Sequence, residues 1–550
     1  MYIIIPNEEV QDMPAIIYQK DKRSGLTYAY ESVSYWDKEK KQSRAKRRLI
    51  GRFDKETGQI IQTDGRGRKL KTDKEVANNK RGHIPSVKSS RSFYGATYLL
   101  DSIGTKLGIT DDLKRCFPNN YKQILSIAYY LILEDSSPLF RFEKWSLLHR
   151  HPYRNNIPSQ RSSELFASIT EEAKKDFFHL QGKQCIEHEY WVYDITSISS
   201  YSEQLSQIQY GKNKEGDYLP QLNLALVFGE ESGLPFYYRK LAGNIPDVKT
   251  VQSLLYELDT LGFNKVKLVM DRGFYSEENI NALFKAHLKF LIAGKMNLEL
   301  IKKELDPIYE GFRSFDHYIE KYELYARTIS TTWNYQHDRP YKGDILSASR
   351  RIYLHYYYNI EQAAESEKAL DKKLMKLRKE LETDNRVEAN ENMYNKYFIV
   401  TRTPKRGIKV TIKENAVAKA KRYLGFFVLL TNESMDAITA LEIYRNKDVA
   451  EKAFGNLKER LNMRRMLVSS EQSLEGKLFV TFIALIYLSY IKKQMQKTDL
   501  FKKYTLQGLL DQLDLIESFE SPGRELQVGE VLEKQKEIYL NLEITPPTSL

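Results

Sequence analysis

Three carboxylates sit where they could do chemistry together. Asp194 interrupts the aromatic and β-branched run "YWVYDITSIS". Asp271 ends the apolar run "KVKLVMD", directly before Arg272 and Gly273. Glu451 lies in the helical pattern "ALEIYRNKDVAEKAFGNLKERL". A carboxylate flanked by Val192, Tyr193 and Ile195 is costly to bury without a partner. Clustered carboxylates are hard oxygen ligands that suit Mg2+ or Mn2+, which keep waters and substrate phosphate oxygens in their shell. Two such ions about 3.5–4 Å apart can activate a nucleophile and stabilise a leaving oxygen at phosphorus. Each acid alone has a plainer role, as a strand-edge residue, a turn former or an exposed helix acid. Together they point to metal-assisted phosphodiester chemistry, provided their elements meet.

The Glu451 segment offers a separate check. On an ideal helix of ~100° per residue, Tyr444, Lys447, Glu451 and Lys458 fall within a sector of about 60°. Ala450, Phe454, Leu457 and Leu461 form an apolar stripe beside it. One face can pack while its neighbour presents an acid flanked by cations and a tyrosine, a set suited to DNA strand chemistry. The plain alternative is an amphipathic helix laced with i,i+4 ion pairs.

The elements that must position these residues are legible from periodicity. After about 188 the order reads β-β-β-α-β-α-β: "YWVYDITSIS", "YLPQLNLALVFG" and "LPFYYRKLAG", then "PDVKTVQSLLYELDTLG", "KVKLVMD", "SEENINALFKAH" and "KFLIAG". The "EESG" between the second and third strands is a hairpin turn signal. This is an α/β pattern. If its first and fourth strands are neighbours, Asp194 and Asp271 share one sheet edge. Gly273 is expected to let the chain leave the sheet sharply after Asp271. We divide the chain into a small, basic, β-rich module (1–85), a helical region for DNA binding or dimerisation (86–187), the core's first part (188–298), a β-rich or mixed insertion (299–440), the core's second part (441–495) and an acidic helical C-terminal tail (496–550). Within the insertion, Leu370, Leu374, Leu377 and Leu381 mark a docking or packing helix, since only two heptads are visible.

Composition bounds the rest. The 550 residues, 41% hydrophobic and 29% charged, suit a soluble globular chain of several domains. Two cysteines, Cys116 and Cys185, spell neither a metal motif nor a disulfide framework, which fits a reducing cytosol. The run "LFVTFIALIYLSYI" (478–491) is short of the ~20 residues that span a bilayer and reads as a buried core helix. The net charge is +12. It concentrates between Lys38 and Arg81, where sixteen Lys/Arg face six Asp/Glu, while three Lys/Arg face nine Asp/Glu from Thr505 to Leu550. A local basic excess of this kind is the footprint of a polyanion such as nucleic acid. Lys46, Arg47 and Arg48 are its candidate DNA contacts, and Arg272 joins them from beside Asp271. Trp333 could stack on an unpaired base, although a core tryptophan is the stronger reading.

The segments "DITSISSYS" and "MDRGFYS", the strand order and a helix placed after a long insertion resemble the DDE transposases of bacterial insertion sequences. The likeness is to the IS4-type superfamily and its IS1634-like branch. That group's helix signature is Tyr, two residues, Arg, three residues, Glu, six residues, Lys; here Tyr444, Lys447, Glu451 and Lys458 match, with Lys in the Arg place. The charge is kept but the bidentate phosphate fork is lost. The resemblance implies an RNase H-like core, and Asp194, Asp271 and Glu451 as catalytic, metal-binding residues for two Mg2+ or Mn2+ ions. It implies Tyr444, Lys447 and Lys458 as DNA contacts near the cleaved end. It further implies a cytoplasmic, nucleoid-associated enzyme that cuts double-stranded DNA at terminal inverted repeats and joins the 3′-OH ends to target DNA, working as a homodimer or higher oligomer. No membrane or small-molecule partner is expected. An RNase H-like nuclease without strand transfer, and a catalytically silent DNA-binding descendant, remain as alternatives.

Overall fold

The computed structural model describes residues 14–62, 89–135, 137–183, 189–201, 205–211, 218–263, 265–338, 345–403, 407–463, 465–466, 470–521 and 524–548. The chain separates into two compact units, Met1–Lys88 and Ser89–Leu550.

The first unit holds an antiparallel sheet of β1 (Ala15–Lys20), β2 (Thr27–Asp37), β3 (Gln42–Phe53) and β4 (Ile60–Gln62), in that order. The basic stretch beyond residue 62 lies outside the described residues.

The second unit opens with β5 (Ser90–Phe93) and helices α1 (Gly95–Lys106), α2 (Ile109–Cys116), α3 (Tyr121–Leu133), α4 (Phe142–Leu148), α5 (Ser159–Ala167) and α6 (Glu171–Lys183). The core follows: β6 (Trp191–Ser200), β7 (Gln221–Gly229), β8 (Pro235–Ala242), α7 (Val251–Thr260), β9 (Lys267–Met270), α8 (Glu277–Lys285) and β10 (Lys289–Ala293). In β6, nine of ten residues are buried and Asp194 is the partial exception. Burial on both sheet faces is why the strand reads as continuously apolar rather than alternating. β7 and β8 form the expected hairpin, turning through Gly233 at φ +68°.

The chain then runs through α9 (Glu299–Leu305), β11 (Tyr318–Ile319), β12 (Leu324–Asp338), β13 (Ile345–Tyr358), α10 (Ile360–Glu382), α11 (Glu391–Tyr397), β14 (Phe398–Thr403), β15 (Gly407–Ile412), α12 (Glu414–Lys421) and β16 (Phe426–Thr431). This segment, expected as one insertion, divides in two. β11, β12, β13 and β16 join the main sheet, whose order is β11-β12-β13-β16-β10-β9-β6-β7-β8. The remainder builds its own small core, in which Leu374, Leu377 and Leu381 of α10 pack with Tyr394, Tyr397, Phe398 and Val417. The leucine spacing therefore marks a packing helix, because a stripe on a charged helix needs only one apolar surface to cover it.

Helix returns as α13 (Ala437–Asn446) and α14 (Asp448–Gly455), then a π turn over Asn456–Arg460. After β17 (Arg465–Met466) comes α15 (Glu471–Lys497), then α16 (Leu506–Asp514), β18 (Glu517–Glu520), β19 (Gln527–Val528) and α17 (Glu533–Asn541). α15 is long and apolar enough to cross a membrane by composition, yet 89% of its apolar window is buried within the chain. It packs on α3, α5 and β8, as an all-round apolar core helix must. The C-terminal segment is more than a helical tail. β18 pairs with β5, and Tyr539 of α17 donates a hydrogen bond to the Gly95 carbonyl at 2.8 Å. The pairing partner lies more than 400 residues away, so no local sequence signal marks it.

Candidate active site

β6 and β9 run parallel, with Trp191 opposite Leu268, Val192 opposite Val269 and Tyr193 opposite Met270. Asp194 and Asp271 are the next residue on each strand. Adjacent strands lie about 4.8 Å apart, so the register delivers two carboxylates side by side. The Asp194 Oδ1 accepts a hydrogen bond from the Ile195 backbone at 2.8 Å.

Asp271 leads into a short 3-10 turn, Arg272–Phe274. Phe274 is buried against Tyr193, with ring centroids 5.0 Å apart. Asn279 is buried beneath the turn and donates to the carbonyls of Phe274 at 2.8 Å and Val248 at 2.7 Å. Ser276 caps α8 by accepting from the Asn279 backbone at 3.1 Å. Gly273 is not what turns the chain: it is absent from the positive-φ residues, and a Cβ there would meet only Asp247 Oδ2 at 3.7 Å. The 3-10 turn and the Asn279 amide do that work, and Arg272 and Gly273 lie exposed.

The helical arm approaches from α13 and α14. α13 is capped by Asp436, whose Oδ1 accepts from the Ile438 and Thr439 backbones at 2.8 and 2.9 Å. It packs against β9, β10, β12 and β13, while α14 packs against β6 and β7. Lys447 joins the two helices, so this junction falls over the seam between the strands that end in Asp271 and carry Asp194. The single helix expected over these residues is thus two, tightened at the joint where the Lys447 amide bonds back three residues to Tyr444. The apolar stripe survives this break: Ala450, Phe454, Leu457 and Leu461 are all buried.

Three of the four signature residues meet at the seam. The Tyr444 hydroxyl donates to Asp271 Oδ1 at 2.6 Å. The Lys447 ammonium lies 3.9 Å from Asp271 Oδ1 and 3.6 Å from Glu451 Oε1, and 5.2 Å from the Tyr444 ring centroid. Its side chain is 18% exposed, against 49% for Asp271 and 65% for Glu451. Lys458 falls in the π turn, where bonding widens to i→i+5 and the 3.6-residue period no longer holds. Among the described residues, no group of three or more His, Cys, Asp or Glu is gathered closely enough to hold a metal ion. The helix was expected to be able to bring Glu451 to the two strand acids. Strand register supplies two, and the third is turned to Lys447.

The electrostatics follow from these contacts. Burial pushes the Asp271 carboxyl up, but the Tyr444 hydroxyl, the Arg272 amide and the charges of Lys447 and Arg272 outweigh it and hold the group below its ordinary value. Burial, the Asp271 charge and the hydrogen bond to Asp271 hold Tyr444 well above the ordinary tyrosine range, with Asp194 adding to the effect. A tyrosine whose hydroxyl is held protonated donates a hydrogen bond and carries no charge. It orients Asp271, a contact that the helix pattern alone did not reveal because it needs the strand partner.

Trp333 of β12 is 7% exposed, and its indole N–H donates to Asn281 Oδ1 at 2.8 Å, so it sits in the core rather than open to a base. Lys46, Arg47 and Arg48 lie exposed on β3 in the first unit.

A family model described as "Transposase DDE domain" matches residues 191–487, more than half of the chain, from the start of β6 into α15. No curated protein matches the chain. Among solved structures, a piggyBac transposase synaptic complex with hairpin DNA is similar at 12% identity and a TM-score of 0.30, covering 76% of this chain and 70% of that one. On the family match, the chain belongs to the transposases with a DDE domain.

Proposed function

We propose that the chain cuts double-stranded DNA at the terminal inverted repeats of its own element and joins the freed 3′-OH ends to target DNA, with Asp194, Asp271 and Glu451 as the metal-binding catalytic residues. The observation that carries this reading is the parallel β6–β9 register, which sets Asp194 beside Asp271 beneath the Lys447 junction. The strand order β8-β7-β6-β9-β10 supports an RNase H-like core. The helix signature supports the IS4-type, IS1634-like branch, hence a bacterial, cytoplasmic, nucleoid-associated enzyme acting on both ends as a homodimer or higher oligomer.

The donor set fits hard divalent ions. Asp194 and Asp271 offer adjacent carboxylate oxygens, Asp271 is held ionised, and Glu451 is one lysine away. Two Mg2+ or Mn2+ ions held there would supply the positive charge that activates an attacking hydroxyl and stabilises the leaving oxygen at phosphorus. The chain's own residues do the remainder. Tyr444 fixes the Asp271 rotamer. Lys447 lies between Asp271 and Glu451, and would turn toward the DNA backbone where divalent ions took its place. Arg272, exposed beside Asp271, meets the same strand, and Lys458 follows it along the helical arm.

The test is a cleavage assay on duplexes carrying the inverted repeats that flank the reading frame, followed by strand transfer from pre-cleaved ends. Divalent-dependent cutting and joining, both lost in Asp271→Asn, support the reading. Cutting without joining makes the protein a nuclease, and neither activity makes it a DNA-binding descendant.

A further inference from the structure

β1 leaves β2 at Ser32, its last partner being Ala15, and β4 reaches β3 only from Gly51 onward. Among the described residues β2 and β3 have only each other between these points, paired from Val33 with Lys46 to Asp37 with Gln42. Every residue of this two-stranded ribbon from Val33 to Trp36 and from Gln42 to Arg48 is exposed. Five residues per strand give a length of about 17 Å, and a two-stranded ribbon is an element the ~12 Å major groove of B-DNA admits. From Val33 to Arg48 there are seven Lys/Arg and two Asp/Glu.

Alternation sorts these charges onto two faces. On one, Tyr35 lies opposite Arg44, Val33 opposite Lys46 and Glu31 opposite Arg48. This face also carries Asp37, whose Oδ2 accepts from the Arg44 guanidinium at 3.4 Å. On the other, Ser32 lies opposite Arg47, Ser34 opposite Ala45 and Trp36 opposite Ser43. That second face holds no acid. Its small hydroxyl-bearing and methyl side chains permit close approach, Arg47 offers a bidentate fork, and Trp36 is 62% exposed. Lys38, Lys40 and Lys41 occupy the turn at the ribbon's end.

We propose that the β2–β3 ribbon enters the major groove of duplex DNA with the face of Ser34, Trp36, Ser43 and Arg47 toward the base edges. The turn lysines grip flanking phosphates. The basic triplet Lys46-Arg47-Arg48 is split by this arrangement: Arg47 reads bases, and its two neighbours face away. The proposal rests on duplex DNA being the partner, as proposed above, but not on the catalytic acids.

The test uses the full chain and fluorescent 40-base-pair duplexes selected by it from random-sequence DNA. Arg47→Ala weakens binding roughly tenfold or more and relaxes the selected sequence. The triple change Lys38→Ala, Lys40→Ala and Lys41→Ala lowers the salt slope by about 3 with the selected sequence retained. Arg44→Ala stays within about twofold of the wild type. Melting curves confirm that each variant is folded, and Trp36→Ala provides a second probe of the same face. Methyl green, a major-groove ligand, competes with the protein, whereas netropsin, a minor-groove ligand, does not. The proposal is overturned if Arg47→Ala and Trp36→Ala both bind as the wild type, if Arg44→Ala costs as much as Arg47→Ala, if netropsin alone competes, or if the protein prefers anionic vesicles to duplex DNA. Ribbon-dependent binding without cutting would instead refute the catalytic reading.

Discussion

The two halves of the candidate active site are held by different physics. Asp194 and Asp271 are positioned by strand register, with Asn279 bracing the turn and Phe274 packed on Tyr193. Glu451 is positioned by one lysine at a joint between two short helices and is mostly exposed. A one-residue slip in a buried strand would turn its whole side-chain set over, so register admits little adjustment. A helix joint can move a carboxylate by a small change at one residue. The strand half is thus a fixed platform, and under the proposed function the helical half is the part that would adapt to ions and DNA.

Substitutions at three places separate the fixed half from the adaptable one. Replacing either platform acid, Asp194→Asn or Asp271→Asn, removes charge while keeping shape. Cleavage falls by roughly a thousandfold or more, equivalent to about 4 kcal/mol of transition-state stabilisation, with DNA binding retained. Gel assays of end cleavage check this, and an active Asp271→Asn enzyme would remove the platform from the mechanism.

Lys447→Met probes the adaptable half, and its two effects have opposite signs. Without divalent ions, Asp271 and Glu451 lose a shared cation, and the melting temperature drops. With Mn2+, calorimetry shows tighter binding by about tenfold, near 1.4 kcal/mol, a figure already discounted for the exposure of Glu451. Arg272→Met, which removes an exposed cation close by, gives the smaller gain. Equal gains would mean that only net charge matters and that the placement of Lys447 does not.

Tyr444→Phe tests the link between the halves and has the smallest effect. The Asp271 carboxyl is depressed in the folded state, so it contributes stability above its unfolded pKa that is lost as pH falls through its folded value. Removing the hydroxyl reduces that contribution by about 0.5–1 kcal/mol at pH 7, after allowance for solvent screening of a half-exposed group. Urea unfolding at pH 7 shows the deficit, and it shrinks in acid once Asp271 is protonated. A deficit that does not change with pH would assign Tyr444 a packing role alone.

How much of this was legible follows from where each signal lives. The core's β-β-β-α-β-α-β order and the apolar stripe of Ala450, Phe454, Leu457 and Leu461 are local patterns, and both could be read directly. The adjacency of Asp194 and Asp271 was readable only as a condition, because strand pairing is non-local. The tight joint at Lys447 and the π turn at Lys458 were hidden because an ideal wheel assumes one period throughout. Gly273 drew attention as a turn residue, whereas the turn is held by Asn279, an amide whose partners are carbonyls distant or unmarked in sequence. The split of the insertion and the β5–β18 pairing were invisible for the same non-local reason.

In the proposed function Asp194, Asp271 and Glu451 share divalent ions from which Lys447 withdraws. Anomalous diffraction from crystals of the protein soaked in Mn2+ tests it most directly. An anomalous peak is expected between the Asp194 and Asp271 carboxylates, with Glu451 turned toward it and the Lys447 ammonium displaced from Asp271. Absence of a peak there at saturating Mn2+, or a peak with Lys447 still bridging Asp271 and Glu451, would contradict it.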